Sequence, residues 1–219
     1  MFKVIVHFAL NVNMSFFIVE PMRIGILGVQ GAVSEHVGAF ERAFSDMGVR
    51  GTVDIVRNAN HIHQIDALVI PGGESSTISR IMDTLNLRKE ILSRIEQGIP
   101  VMGTCAGAVL LASEGDEAVR RSGTKLLGSV EVSVKRNAFG GQRESFESNM
   151  NIKGIAEGFH AVFIRAPSME LLPSSRARVL ATFEDKLVGV EQNNILSFSF
   201  HPELTRDPRI HRYFLEKLL

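Results

Sequence analysis

The sequence predicts an α/β protein with a mainly parallel sheet and antiparallel strands toward one edge. Three observations lead there. Short apolar runs alternate with amphipathic helical stretches through the first half of the chain. Glycine-containing turns follow those runs, where active sites of parallel sheets collect. The second half is richer in short β runs and holds an Asn193-Asn194 hairpin signal. No repeat, low-complexity tract or linker divides the chain, so one domain is expected over residues 22–219.

Residues 23–28 are the first strand, and Val29-Gln30-Gly31 a turn. Val33, Val37, Phe40, Phe44 and Met47 then recur at helical spacing, with Ser34 as the expected N-cap and Gly48 as the stop. Residues 51–56 and 67–70 are the next strands. The latter runs into Pro71-Gly72-Gly73-Glu74-Ser75, behind which Ile78, Ile81, Met82 and Leu85 mark a helix. Residues 87–96 form another amphipathic helix, ended by Gly98. Residues 99–102 are a buried strand, Gly103 to Gly107 a sharp turn, and 106–112 the start of a helix. Beyond it, 126–134, 149–152, 161–164, 178–183, 186–190 and 195–200 read as strands, and 136–143 as a glycine-containing loop. Thr205 or Asp207 is the expected cap of a last helix that carries Pro208 in its first turn and points Ile210, Phe214 and Leu218 inward.

Residues 1–21 stand apart. Lys3 precedes apolar residues, but His7, Asn11, Asn13, Ser15 and Glu20 interrupt them, and a membrane span needs about 20 mostly apolar residues. This segment is expected to be an extension outside the fold, with Met22 as the domain start. Intact-mass analysis of protein from its native source tests that.

Composition excludes several functions. Formal net charge is zero, with no Trp and a single Tyr, which argues against nucleic acid or an anionic membrane as partner. Glycines 25, 28 and 31 do not match a dinucleotide fingerprint, so no nucleotide cofactor is expected. His61 and His63 lack a nearby Cys or carboxylate cluster, so no metal is expected there. Cys105 is the only cysteine, which rules out an internal disulfide and fits a reducing, cytoplasmic compartment.

The chemistry is carried by two segments. Strand, sharp turn and helix around Cys105 form the nucleophile-elbow pattern with Cys in place of Ser. A helix N-terminus favours a thiolate there. A lone cysteine is more often a buried structural side chain, so the pattern needs a base. Phe200-His201-Pro202-Glu203 supplies one. In extended backbone His201 and Glu203 share a side, and Pro202 is expected to keep the segment from becoming helical. A carboxylate beside an imidazole fixes its tautomer and stabilises the imidazolium. Nucleophile, base and orienting acid are then all present at strand ends. The Gly72-Gly73 pair between a strand and a helix leaves backbone N–H groups free for an anion or a carbonyl oxygen.

These segments resemble the class I glutamine amidotransferases, and more narrowly the glutaminase subunits of pyridoxal 5′-phosphate synthase. The narrower resemblance rests on Gly28-Val29-Gln30-Gly31-Ala32-Val33 with Glu35-His36, on Pro71 to Ser75, and on Gly103 to Gly107. It continues through Arg136-Asn137-Ala138-Phe139-Gly140, Phe163-Ile164-Arg165-Ala166-Pro167 and Ser199 to Thr205. The resemblance implies a three-layer αβα, flavodoxin-like fold and hydrolysis of L-glutamine, with ammonia passed to a barrel-shaped synthase subunit. It implies Cys105 as nucleophile, His201 as general acid/base and Glu203 as its partner. Gly72, Gly73, Glu74, Ser75, Arg136, Ile164 and Arg165 would hold glutamine. The backbone N–H groups of Gly73 and Ala106 would face the oxyanion, with Gln30 beside them near the partner interface. Low activity without the partner is implied as well. The stretch 115–125 is longer and more charged than the family pattern and is expected to leave the site motifs untouched. The same elbow would also serve a cysteine peptidase or another amidase, or survive in a non-catalytic scaffold subunit.

Overall fold

In a computed structural model, residues 21–139 and 145–219 are described. The expected extension, apart from Pro21, and the glycine pair of the 136–143 loop lie outside them. Strands run β1 (Met22–Leu27), β2 (Gly51–Val56), β3 (Ala67–Ile70), β4 (Val101–Thr104), β5 (Ala112–Gly115) and β6 (Val130–Lys135). They continue as β7 (Ser145–Ile152), β8 (Ala156–Ile164), β9 (Ser168–Leu171), β10 (Arg178–Phe183), β11 (Lys186–Gln192) and β12 (Ile195–Phe198). Helices are α1 (Val33–Met47), α2 (Ala59–His63), α3 (Ser75–Thr84), α4 (Leu87–Glu96), α5 (Ala106–Leu111), α6 (Glu117–Arg121) and α7 (Arg209–Glu216).

Five parallel strands in the order β2-β1-β3-β4-β12 make the centre, and β11, β9 and β6 extend it antiparallel, with β5 at the far edge and β10 on β11. The predicted mainly parallel sheet with antiparallel strands toward one edge is what forms. The central strands are apolar on both faces because both are covered. Along β3, Leu68 and Ile70 pack on one side with Ile78, Met82, Leu87, Ile91 and Leu110 from α3, α4 and α5. Ala67 and Val69 pack on the other with Phe40 and Phe44 of α1 and Ile210 and Phe214 of α7. This gives the three layers. Phe40 and Phe214 are fully buried, and truncating either to Ala is worth about 3–5 kcal/mol.

The β7–β8 pair is a separate two-stranded ribbon. Its Phe146 and Phe163 rings stack at 4.5 Å, and both meet Phe183 of β10. That aromatic cluster fastens the ribbon to β10, on the sheet face that α1 and α7 also cover.

Several local expectations need correction. Ser34 does not cap α1; Ala32 holds that position, and Ser34 bonds Glu35 instead. A tertiary contact sets the helix start, since Ala32 N–H donates to the Gly72 carbonyl after Gly31 turns at φ +112°. The segment after His201 is not extended: Pro202–Leu204 form a 3-10 turn. Proline's fixed φ suits the first position of such a turn, where its missing N–H costs nothing. At α7, Pro208 is the cap residue and Asp207 accepts the Arg209 N–H, while Thr205 closes the 3-10 turn. Helix α2, strands β5 and β9 and helix α6 were not anticipated, and β7 and β8 are longer than expected; each of the four unanticipated elements is five residues or fewer, too short for a periodic signal.

Candidate active site

The elbow forms as its residues dictate. Gly103 and Gly107 let α5 return against β4 and β3; a Cβ on Gly107 would stand 2.0 Å from the Ile70 carbonyl oxygen. Between them Cys105 takes φ 47°, ψ −101°, a conformation costly for a residue with a side chain. Its amide donates to the Phe198 carbonyl at 2.8 Å, so β12 holds the elbow in place. The thiol donates to the Ile164 carbonyl at 3.7 Å.

His201 follows β12. Its backbone N–H donates to Val162 of the ribbon at 2.8 Å, and its Nδ1 lies 2.7 Å from Glu203 Oε1. Both are buried. Burial opposes charge on His201, but hydrogen bonding with Cys105 and Glu203 and the charges of both prevail, raising its pKa to about 10. Glu203 is also pushed toward protonation by burial, yet the neighbouring imidazoles of His36 and His201 hold it below the usual carboxylate range. A 3-10 turn therefore achieves the pairing that the sequence attributed to an extended strand.

Cys105 and His201 open on one cavity of about 300 Å³. Gly72, Gly73, Glu74, Ser75, Arg136, Ile164, Arg165, Gln30 and Ala106 line it too, so the structure brings together every residue singled out for the site except Glu203, which stands behind His201. Gln30 Oε1 accepts the Glu74 amide at 2.8 Å and so braces the Gly73 turn. The Gly72 amide is taken by Thr104 Oγ1 at 3.0 Å. The amides of Gly73 and Ala106 donate to no acceptor among the described residues. Arg136 and Glu74 pair at 2.8 Å, while Arg165 is exposed at φ 43° on the rim.

Asn137 and Pro167 also line the cavity and were not assigned a role. Both sit inside the motifs that carried the resemblance, which was the available signal. The 115–125 stretch does reach the site segment, contrary to expectation: Asp116 caps α6 and its other carboxylate oxygen accepts the Arg136 amide at 3.2 Å. His61 and His63 are engaged locally, His61 with the Ile55 carbonyl and His63 with Glu90. No cluster of metal-ligating side chains occurs among the described residues.

Comparison with known proteins agrees with this architecture. The model of the SNO glutamine amidotransferase family matches residues 26–219. The pyridoxal 5′-phosphate synthase subunit PdxT of Archaeoglobus fulgidus is 48% identical over 195 residues, 89% of this chain and 98% of that protein. The protein of the same name from Thermococcus onnurineus is 46% identical over 90% of this chain and all of its own length. A crystal structure of a glutamine amidotransferase superposes with a TM-score of 0.77 at 42% identity, covering 88% of this chain and 97% of the other. The PurLQS structure from Thermotoga maritima shares the fold at TM-score 0.60 and 13% identity. The chain belongs to the SNO glutamine amidotransferase family.

Proposed function

We propose that this chain hydrolyses L-glutamine to L-glutamate and ammonia with Cys105, His201 and Glu203, and delivers the ammonia to a synthase subunit that makes pyridoxal 5′-phosphate. One observation carries the catalytic assignment: Cys105 and His201 share a cavity, and Glu203 stands 2.7 Å behind the imidazole. The names of the relatives support the destination of the ammonia.

In this reading Cys105 reacts as the thiolate beside the His201 imidazolium; its sulfur attacks the side-chain amide carbon, and the carbonyl electron pair moves to oxygen. The amides of Gly73 and Ala106 stabilise that oxyanion; one such donor is worth roughly 3 kcal/mol. His201, protonated across neutral pH, gives its proton to the departing nitrogen as the C–N bond breaks and a thioester remains. The neutral imidazole then takes a proton from water, whose oxygen attacks the thioester; the C–S bond breaks to return the thiolate, and the new carboxyl loses its proton to solvent to give glutamate. Glu203 keeps Nδ1 protonated and the ring aimed throughout. Glu74 and Arg136 recognise the charged α-amino and α-carboxylate ends of glutamine, with Ser75, Ile164 and Arg165 completing the wall.

The proposal includes one amidotransferase domain over residues 22–219, a barrel-shaped partner subunit, and a cytoplasmic location suited to an unpaired cysteine. No helix among the described residues is long and apolar enough to cross a membrane. Glutamate release from glutamine, measured with and without the synthase subunit, tests the reading. A sharp rise with the partner is expected. Equal rates in both would break the partner assignment, and none in either would remove glutamine as substrate.

A further inference from the structure

A second buried polar group lies behind the triad, unused by the steps above. His36 of α1 and His211 of α7 are both fully buried. His36 Nε2 stands 3.1 Å from Thr104 Oγ1 and 3.5 Å from Glu203 Oε2. His36 Nδ1 stands 3.5 Å from His211 Nε2. Glu203 spends Oε1 on His201, and its Oε2 is buried without a hydrogen bond among the described residues. A carboxylate oxygen in that state is costly, and the nitrogen facing it is His36 Nε2.

The surroundings assign the proton. Burial outweighs the Glu203 charge and lowers the His36 pKa, and burial together with His36 lowers that of His211 to about 3, so both rings are neutral. Thr104 Oγ1 can donate or accept, whereas Glu203 Oε2 can only accept; the one N–H of a neutral ring gives the carboxylate a facing donor only on Nε2. His36 Nδ1 then accepts from His211 Nε2–H, leaving His211 Nδ1 as an unpaired acceptor, in accord with its lack of a partner among the described residues. An orphaned acceptor is tolerated better than an orphaned N–H.

We propose that His36 is a positioning residue whose Nε2 edge, 3.5 Å from Glu203 Oε2, holds the carboxylate from behind by electrostatic attraction and, through its hydrogen bond with Thr104, ties it to the Gly72-Gly73 turn. Thr104 Oγ1 accepts the Gly72 amide at 3.0 Å, so one imidazole braces both the acid of the triad and the loop that carries a candidate oxyanion donor. His36 does not line the cavity, so it acts through Glu203 rather than on glutamine. The inference rests on Cys105, His201 and Glu203 being the reacting triad.

Two variants of the full chain test it. His36→Gln keeps an N–H near the Nε2 position, whereas His36→Leu fills similar space without a donor. The first readout needs no glutamine: the low-field proton of the His201–Glu203 hydrogen bond in histidine-labelled protein, followed by NMR. The second is glutamine hydrolysis with the synthase subunit present. His36→Leu is expected to lose or broaden the resonance and lower kcat about 10- to 100-fold, as loss of an orienting partner does elsewhere. KM is expected to stay within about twofold, because no ground-state contact is removed. His36→Gln is expected to restore the resonance and most of kcat. A wild-type resonance and kcat in His36→Leu overturn the proposal, as does equal loss in both variants, which is packing alone. The NMR result standing while wild-type protein turns over no glutamine would sink the glutaminase reading and leave this inference intact.

Discussion

A Cβ on Gly72 would lie 2.2 Å from His201 Cε1 and 3.3 Å from the Cβ of Cys105. The loop after β3 thus passes the imidazole and the nucleophile with no space for a side chain. Glycine is required at residue 72 by close approach, since its φ is not in the left-handed region.

Gly72→Ala is therefore expected to displace His201 and cut glutamine hydrolysis by about 100-fold or more, the scale of a 1 Å misplacement. The overpacking itself costs about 1–3 kcal/mol. Steady-state kinetics beside a thermal melt separates the two effects. A variant with normal kcat would show that His201 need not hold this position.

Cys105→Ala removes the nucleophile and relieves the unfavourable φ only slightly. Glutamate release is expected to fall about 10⁴-fold or more, while the melting temperature and binding of the synthase subunit persist. Residual turnover near wild type would refute the nucleophile assignment.

Arg136 and Glu74 form a pair at the cavity wall. Arg136→Ala is expected to raise KM for glutamine by about 10- to 100-fold, in line with about 1.5–3 kcal/mol for a charged hydrogen bond. A fall in kcat with unchanged KM would place Arg136 in the transition state instead.

The histidines give stability a two-sided pH dependence. The pKa of His201 is about 10 when folded against an ordinary 6.5. The folded chain therefore binds more protons between those values, and the contribution, full below 6.5, is lost as pH rises through about 10. His211 works in the opposite sense: with a folded pKa of about 3, its contribution is present above 6.5 and lost as pH falls toward 3. Urea melts across this range are expected to show His201→Asn flattening the alkaline limb and His211→Leu flattening the acid limb. Slopes of the opposite sign would contradict the assignment.

Much of this was legible because the signals are local. Apolar runs, helical spacing at Phe40 and Phe44, and the small residues around Cys105 encode their own geometry. Ser34 misled because its capping chemistry was overridden by the contact between Ala32 and Gly72, residues far apart in sequence. Pro202 misled because one fixed φ serves both extended backbone and a 3-10 turn. His36 carried no local sign of its surroundings, since Glu203, Thr104 and His211 reach it only through the tertiary fold. Asp116 is similar: nothing in a charged surface stretch announces a bond to the Arg136 amide.

Strand β12 lies between β4 and β11, although it is the last strand in sequence. During synthesis the ribosome releases β1 to β4 long before residues 195–198, so the β4 edge waits open for its final neighbour. His201 and Glu203 emerge just behind that strand. Closing the sheet and arming the cysteine are thus a single late event, and a nascent chain stalled earlier holds the nucleophile without the base.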